Sequence, residues 1–216
     1  MTKTRKNYSE RKISEYNRFR KYFYWLITKV FYMLRFKLVY RLEVQGRENV
    51  PKDNQYIVCP NHLSTLDPPL IGAVMPRPVS FMAKEELFNN IFMRWWLNWL
   101  GAFAVNREKL AVSTIKTAKS ISKTNWVLGL FPQGSRKPAG TIADISKGFA
   151  TLAKATKCGI LPVGIIGTEE FKFRPFSGKI VVKIGELIPY DENLDMMVEE
   201  WIRAIEKLTG FKYVGV

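Results

Sequence analysis

The sequence predicts an α/β fold: a largely parallel central sheet flanked by helices, with an N-terminal amphipathic helical segment that associates with a membrane. Three observations carry that expectation. Short apolar runs alternate with helix-like stretches beyond residue 41, the pattern of parallel strands joined by crossovers. At 216 residues, 47% hydrophobic and 25% charged, the chain is long and apolar enough for one globular domain without disulfides or a structural metal. The charge is also uneven: residues 1–42 hold twelve Lys/Arg against two acids, a net +10 of the +15 total. The chain therefore divides into a basic segment, 1–41, and an α/β domain, 42–216.

The first element is a helix from about Arg18 to Arg41. On a helical projection Phe19, Phe23, Leu26, Val30, Met33 and Leu34 share one face, and Arg18, Lys21, Lys29 and Arg35 the opposite one. Lys37 interrupts the pattern and predicts a kink or a second helix there. No uncharged run reaches the roughly 20 residues needed to span a bilayer. A basic, aromatic-rich helix of this kind suits an anionic membrane surface, lying in the headgroup layer. Nucleic acid is disfavoured, because no aromatic-basic groove pattern for bases accompanies the charge.

Seven strands are then expected, over 42–44, 56–59, 79–82, 102–105, 127–131, 161–166 and 180–184. Helices are expected over 68–74, 85–100, 112–124 and 144–156. In such folds chemistry collects where strands end and loops lead into helices. The first such turn holds the sole histidine, His62, with Asp67 five residues later and Pro68 opening a helix. A turn can set a carboxylate on one imidazole nitrogen and leave the other free, as a general base requires. The plainer alternative is that Asp67 only caps the helix. The strand over 102–105 delivers Arg107. The strand over 127–131 opens into Gln133-Gly134-Ser135-Arg136-Lys137, a turn of hydrogen-bonding and cationic groups. The fourth feature is the apolar strand with Leu161-Pro162-Val163. One histidine and two cysteines, Cys59 and Cys158, nearly exclude a metal centre and point to a reducing, cytoplasmic setting.

Taken in order, Asn61-His62 to Asp67, Gly101 to Arg107, Phe131 to Arg136, and Leu161-Pro162-Val163 resemble the four motifs of the glycerolipid acyltransferases. Within these, the likeness is to the 1-acylglycerol-3-phosphate (lysophosphatidate) acyltransferases. It covers about residues 40–190 and departs at two positions, Gln133 in place of glutamate and Ser135 in place of threonine. The resemblance implies that His62 takes the proton of a lysophospholipid 2-hydroxyl, oriented by Asp67. The acyl group would come from a thioester, acyl-CoA or acyl-acyl carrier protein, with no further cofactor and no metal. It also implies phosphate contacts from Arg107 and Arg136, with Lys84 a further candidate, and positioning of the glycerol by Gln133, Gly134 and Ser135. Peripheral attachment to the cytoplasmic face of the cell membrane follows. Stretch 91–100, IFMRWWLNWL, would line an acyl channel, add a membrane contact or form a core helix. A different acceptor, such as glycerol 3-phosphate, or a non-enzymatic basic binding module are the alternatives.

Overall fold

The computed structural model describes residues 8–52, 55–106, 111–169 and 178–215. Helix α1 (Arg18–Trp25), a π-helical stretch (Leu26–Tyr32) and α2 (Met33–Tyr40) run on as one segment. Strands β1 (Glu43–Gln45) and β2 (Tyr56–Pro60) follow, then α3 (Asp67–Val74), β3 (Val79–Lys84), α4 (Ile91–Trp99), β4 (Phe103–Val105), α5 (Val112–Ile121) and β5 (Val127–Gly129). The chain continues through β6 (Thr141–Ile142), α6 (Gly148–Thr156), β7 (Gly159–Ile166), β8 (Val181–Ile184), α7 (Leu194–Thr209) and β9 (Lys212–Tyr213).

Seven strands form one sheet in the order β1-β8-β7-β2-β5-β3-β4, and each of the seven expected strands has its counterpart there. The pairings are parallel except β7 with β8. Both faces are covered, as parallel sheets require. Ile57, Cys59 and Leu128 point into a core with Phe149 and Trp201 from α6 and α7. Tyr56, Val58 and Val127 point the other way, against Phe36 of α2 and Leu70 of α3. The two-residue β6–β9 ribbon was not expected, because two residues make no readable run.

Several helices differ from expectation for local reasons. The expected helix over 85–100 is a 3-10 turn (Glu85–Phe88) followed by α4, because the Asn90 side chain caps the N–H groups of Phe92 and Met93 at 3.0 and 3.1 Å. Helix α6 starts at Gly148 rather than 144, since Asp144 is left-handed (φ 54°) and the Ser146 hydroxyl accepts the Gly148 N–H. Helix α5 stops at Ile121, where Thr124 turns its hydroxyl back onto the Ile121 carbonyl. Helix α7 was not expected at all, although Asn193 and Gly210 bracket its buried Met197, Trp201, Ile202 and Ile205.

The N-terminal segment is not kinked at Lys37; its irregularity lies in the π stretch, where the Thr28 hydroxyl donates to the Tyr24 carbonyl (2.8 Å). Nor does the segment stand apart from the domain. Tyr16 and Tyr24 belong to one core, Phe36 and Tyr40 to the other. Gly72 of α3 permits a close approach, since a Cβ there would lie 2.7 Å from the Tyr24 hydroxyl and 3.1 Å from Thr28. Lys29, which the helical projection sets opposite the apolar face, turns inward. Its Nζ donates to the carbonyls of Ala73 and Met75 at 2.5 Å each, beside Arg47 on the Val74 carbonyl, so cations cap the C-terminus of α3. Burial, with the Arg47 charge, pushes the Lys29 amine down to about 8, while the two carbonyls favour its charged form.

The outward side of this segment is apolar. Phe19, Leu26, Val30, Phe31, Leu34 and Leu38 are all exposed, and Phe23 packs among Trp95, Trp96 and Trp99 of α4. On α4 itself Ile91, Phe92 and Trp95 are exposed, Phe92 to 81%. Among the described residues no helix is long and apolar enough to cross a membrane.

Candidate active site

Because β2, β3, β4, β5 and β7 run parallel, their carboxyl ends share one edge of the sheet. Asn61 continues the β2–β7 ladder with its side chain: Nδ2 donates to the Ile165 carbonyl (3.0 Å) and Oδ1 accepts the Ile165 N–H (2.6 Å). That pair fixes the backbone just before His62. The chain then turns, and Asp67 opens α3.

The Asp67 carboxylate is fully buried and does not cap α3. It reaches back into the preceding loop, where Oδ2 accepts the N–H groups of Leu63 and Ser64 (2.7 Å each) and meets His62 Nδ1 at 2.8 Å. Oδ1 accepts the Thr168 hydroxyl (2.7 Å), which arrives from the loop after β7. Four donors thus leave the carboxylate no freedom to rotate. A carboxylate at Nδ1 assigns the proton to that nitrogen and the lone pair to Nε2. The imidazole stacks on Phe131, ring centroids 4.0 Å apart and planes 21° apart, and Phe131 stacks in turn on Phe81. His62 is therefore held by a carboxylate at its edge and a ring on its face.

The turn after β5 is laced to His62 at two points. The His62 N–H donates to Gln133 Oε1 (2.9 Å), and the Lys137 N–H donates to the His62 carbonyl (2.9 Å). Gly134 takes a left-handed conformation (φ 64°) that suits glycine. Gln133 is buried, whereas Ser135 and Arg136 are exposed on the turn, and Lys137 pairs with Asp144. Lys84 is the last residue of β3, on the same edge, and forms an exposed pair with Glu86 (3.1 Å). Arg107 lies outside the described residues; β4 carries the chain toward it as far as Asn106. Thus the structure brings His62, Asp67, Gln133, Gly134, Ser135 and Arg136 together and sets Lys84 on their edge.

Three neighbours of the site were not expected in the parts they play. Thr168 lies 101 positions from Asp67, Phe131 reads as a strand residue, and Asn61 reads only as part of a motif. Phe131 also lines a cavity of about 310 Å³ with Val105, Asn106, Leu130, Ser146 and Phe149. The thiols offer no nucleophile: burial pushes both Cys59 and Cys158 upward. The Ser64 hydroxyl accepts the Leu66 N–H at 3.4 Å. Among the described residues no group of His, Cys, Asp and Glu could hold a metal ion.

Residues 41–166 match the family model described as Acyltransferase, more than half of the chain. This protein belongs to the acyltransferase family. Its sequence is 29% identical over 176 residues to the 1-acyl-sn-glycerol-3-phosphate acyltransferase of Bacillus subtilis (strain 168), covering 77% of this chain and 87% of that protein. It is 30% identical to the enzyme of the same name from Streptococcus pneumoniae, covering 85% and 69%. Its fold matches the crystal structure of the 1-acyl-sn-glycerophosphate (LPA) acyltransferase PlsC from Thermotoga maritima, with a TM-score of 0.62, 28% identity and coverage of 91% of this chain and 79% of that one. The acyltransferase fold expected from the ordered motifs is thus the one this chain adopts.

Proposed function

We propose that this acyltransferase moves a fatty acyl group from a thioester, carried by coenzyme A or acyl carrier protein, to the 2-hydroxyl of 1-acylglycerol 3-phosphate, giving phosphatidic acid. The His62 Nδ1 to Asp67 Oδ2 contact of 2.8 Å is the observation that carries the mechanism. The lone pair on Nε2 takes the hydroxyl proton as the oxygen attacks the thioester carbonyl, and the imidazolium then returns that proton to the departing thiolate. Asp67, buried and held by three other donors, stabilises the imidazolium without moving. Transfer is direct, with no acyl-enzyme, which agrees with the absence of an activated thiol among the described residues.

Arg136 and Arg107 hold the substrate phosphate in this reading, with Lys84 in reserve, while Gly134 and Ser135 seat the glycerol beside Gln133. The cavity beside Phe131, lined by both apolar and polar side chains, supplies space one ring away from His62, a role the exposed α4 does not fill. Helix α4 and the outward face of the N-terminal segment instead form the contact with an anionic membrane, where both lipid substrate and product reside. The names of the relatives in Bacillus and Streptococcus support the acceptor.

The test is thioester release with acyl-CoA and acyl-acyl carrier protein against a panel of lysophosphatidate, other lysophospholipids and glycerol 3-phosphate. His62→Ala is expected to lose acyl transfer by about 10²–10⁴. Its folding should survive, because the ring makes one hydrogen bond and lies partly open. Unchanged turnover by that variant refutes the mechanism.

A further inference from the structure

The loop that carries His62 is fastened at both ends to the chain around the end of β7. At its start the Asn61 side chain pairs with the backbone of Ile165, and at its far end the Thr168 hydroxyl meets Asp67 Oδ1 at 2.7 Å. Thr168 and Asp67 are both fully buried. A carboxylate only accepts, so the hydroxyl is the donor. The chain around Thr168 is shaped to aim that one group. Gly167 is left-handed (φ 89°), and a side chain there would run into the Lys179 carbonyl, so the turn calls for glycine. The Glu169 side chain, on the other side of Thr168, accepts the Gly167 N–H at 3.1 Å. Thr168 itself lies beyond the last of the four motifs.

The two carboxylate oxygens are held differently. Oδ2 takes three donors, His62 Nδ1 among them, whereas Thr168 is the one donor on Oδ1 among the described residues. Donors on a single oxygen fix where that atom sits but let the group swing about it. A donor on the second oxygen fixes the plane, and with it the direction of the Oδ2 lone pair that meets Nδ1. We propose that Thr168 is a positioning residue for the proton transfer, holding the plane of the Asp67 carboxylate so that the His62 ring keeps its reactive orientation. This rests on the reading of His62 as the general base. Thr168 is buried and bonds to Asp67 rather than to His62, so its effect belongs to the step in which the proton moves and not to lipid binding. A misplacement of about 1 Å can cost about a hundredfold in rate, and the partial loss of alignment here corresponds to about tenfold.

The experiment compares the full chain with Thr168→Val, which swaps the hydroxyl for a methyl of similar size, and with Thr168→Ser, which keeps the donor. It measures kcat and KM for acyl transfer on vesicles, per folded enzyme, and the proton resonance of the His62 Nδ1–H, traceable because His62 is the sole histidine. In Thr168→Val kcat should fall about tenfold with KM unchanged, the mark of an interaction that acts in the transition state. The Nδ1–H resonance should shift and its proton should exchange faster with water. Thr168→Ser should restore both. A purely structural hydroxyl would lower the unfolding midpoint of Thr168→Val and leave kcat and the resonance as they are. Unchanged kcat, an unchanged resonance, or a Thr168→Ser as impaired as Thr168→Val overturns the proposal. If Thr168→Val does not fold, Thr168→Cys takes its place, because a thiol is a weaker donor. It should show a smaller fall in kcat, and wild-type turnover by it overturns the proposal. A wild type that acylates nothing refutes the reading of function instead, and the His62 resonance, which needs no substrate, still decides on Thr168.

Discussion

Replacing Asp67 with asparagine and with alanine separates what its charge does from what its shape does. Oδ2 meets three donors and Oδ1 one. An asparagine must turn its oxygen to the three donors, since its nitrogen there would face the N–H groups of Leu63 and Ser64. The nitrogen then meets the Thr168 hydroxyl, which can rotate to accept. The His62 tautomer is therefore preserved and only the charge is lost. Hydrogen bonds to a charged group are worth about 1.5–3 kcal/mol and neutral ones about 0.5–1.5, so three weakened bonds destabilise by about 3 kcal/mol. For catalysis, a unit charge about 4 Å from the developing imidazolium at an effective dielectric constant of about 20 contributes about 4 kcal/mol. The neutral oxygen keeps part of that, so the rate should fall by about 10²–10³. Alanine leaves four donors facing a void, at about 1–3 kcal/mol each, which is comparable with the whole stability of a domain. The measurements are urea unfolding and thioester release on vesicles. Full activity in Asp67→Asn, or equal destabilisation by Asn and Ala, would refute the reasoning.

Other outcomes can be stated from the same structure. Arg136→Ala should raise KM for the phosphorylated acceptor by about 10–100-fold, the worth of a charge-assisted contact, with little effect on unfolding because the residue is exposed. The double variant Phe31→Glu with Leu34→Glu should change stability by about 0.5 kcal/mol or less per site, as both side chains are exposed. It should nevertheless sediment less with anionic vesicles than the wild type at both low and high salt. Burial pushes Tyr16 and Tyr56 up to about 12 from an ordinary 10, and Tyr24 higher still. The folded state then keeps protons that the unfolded chain releases, so their stabilisation is complete below pH 10 and is lost as pH rises toward 12. Urea midpoints at pH 8, 10 and 11.5 should show that decline. Tyr56→Phe should lessen it, since the Tyr56 hydroxyl is buried without a partner among the described residues.

The sheet was legible because each strand is a local apolar run, and the contact between His62 and Asp67 because both partners lie within five residues of one another. What lay hidden depends on distant neighbours or on single atoms. Thr168 becomes a partner of Asp67 only after β7 pairs with β2, and nothing near residue 168 announces it. Phe131 satisfies a strand pattern equally well whether it fills a core or stacks on a histidine. Periodicity set Lys29 opposite the apolar face but could not show that the open carbonyls of α3 draw it inward beside the π stretch. Helix α7 is marked in the sequence by Asn193 at its start and Gly210 at its end, but it lies beyond the last of the four motifs.

The cations on the C-terminus of α3 have a mechanical consequence. This eight-residue helix begins with Asp67 and ends against Lys29, so its two ends join the His62–Asp67 pair to the N-terminal segment with its apolar outer face. At about 1.5 Å per residue it is a strut of about 12 Å with no loop between its ends. A chain seated on a bilayer by its N-terminal helix would hold the imidazole at one set height above the lipid carbonyls. Lateral diffusion would then bring substrates past in two dimensions, and the depth of a hydroxyl in the leaflet, as well as its chemistry, would decide which lipids are acylated.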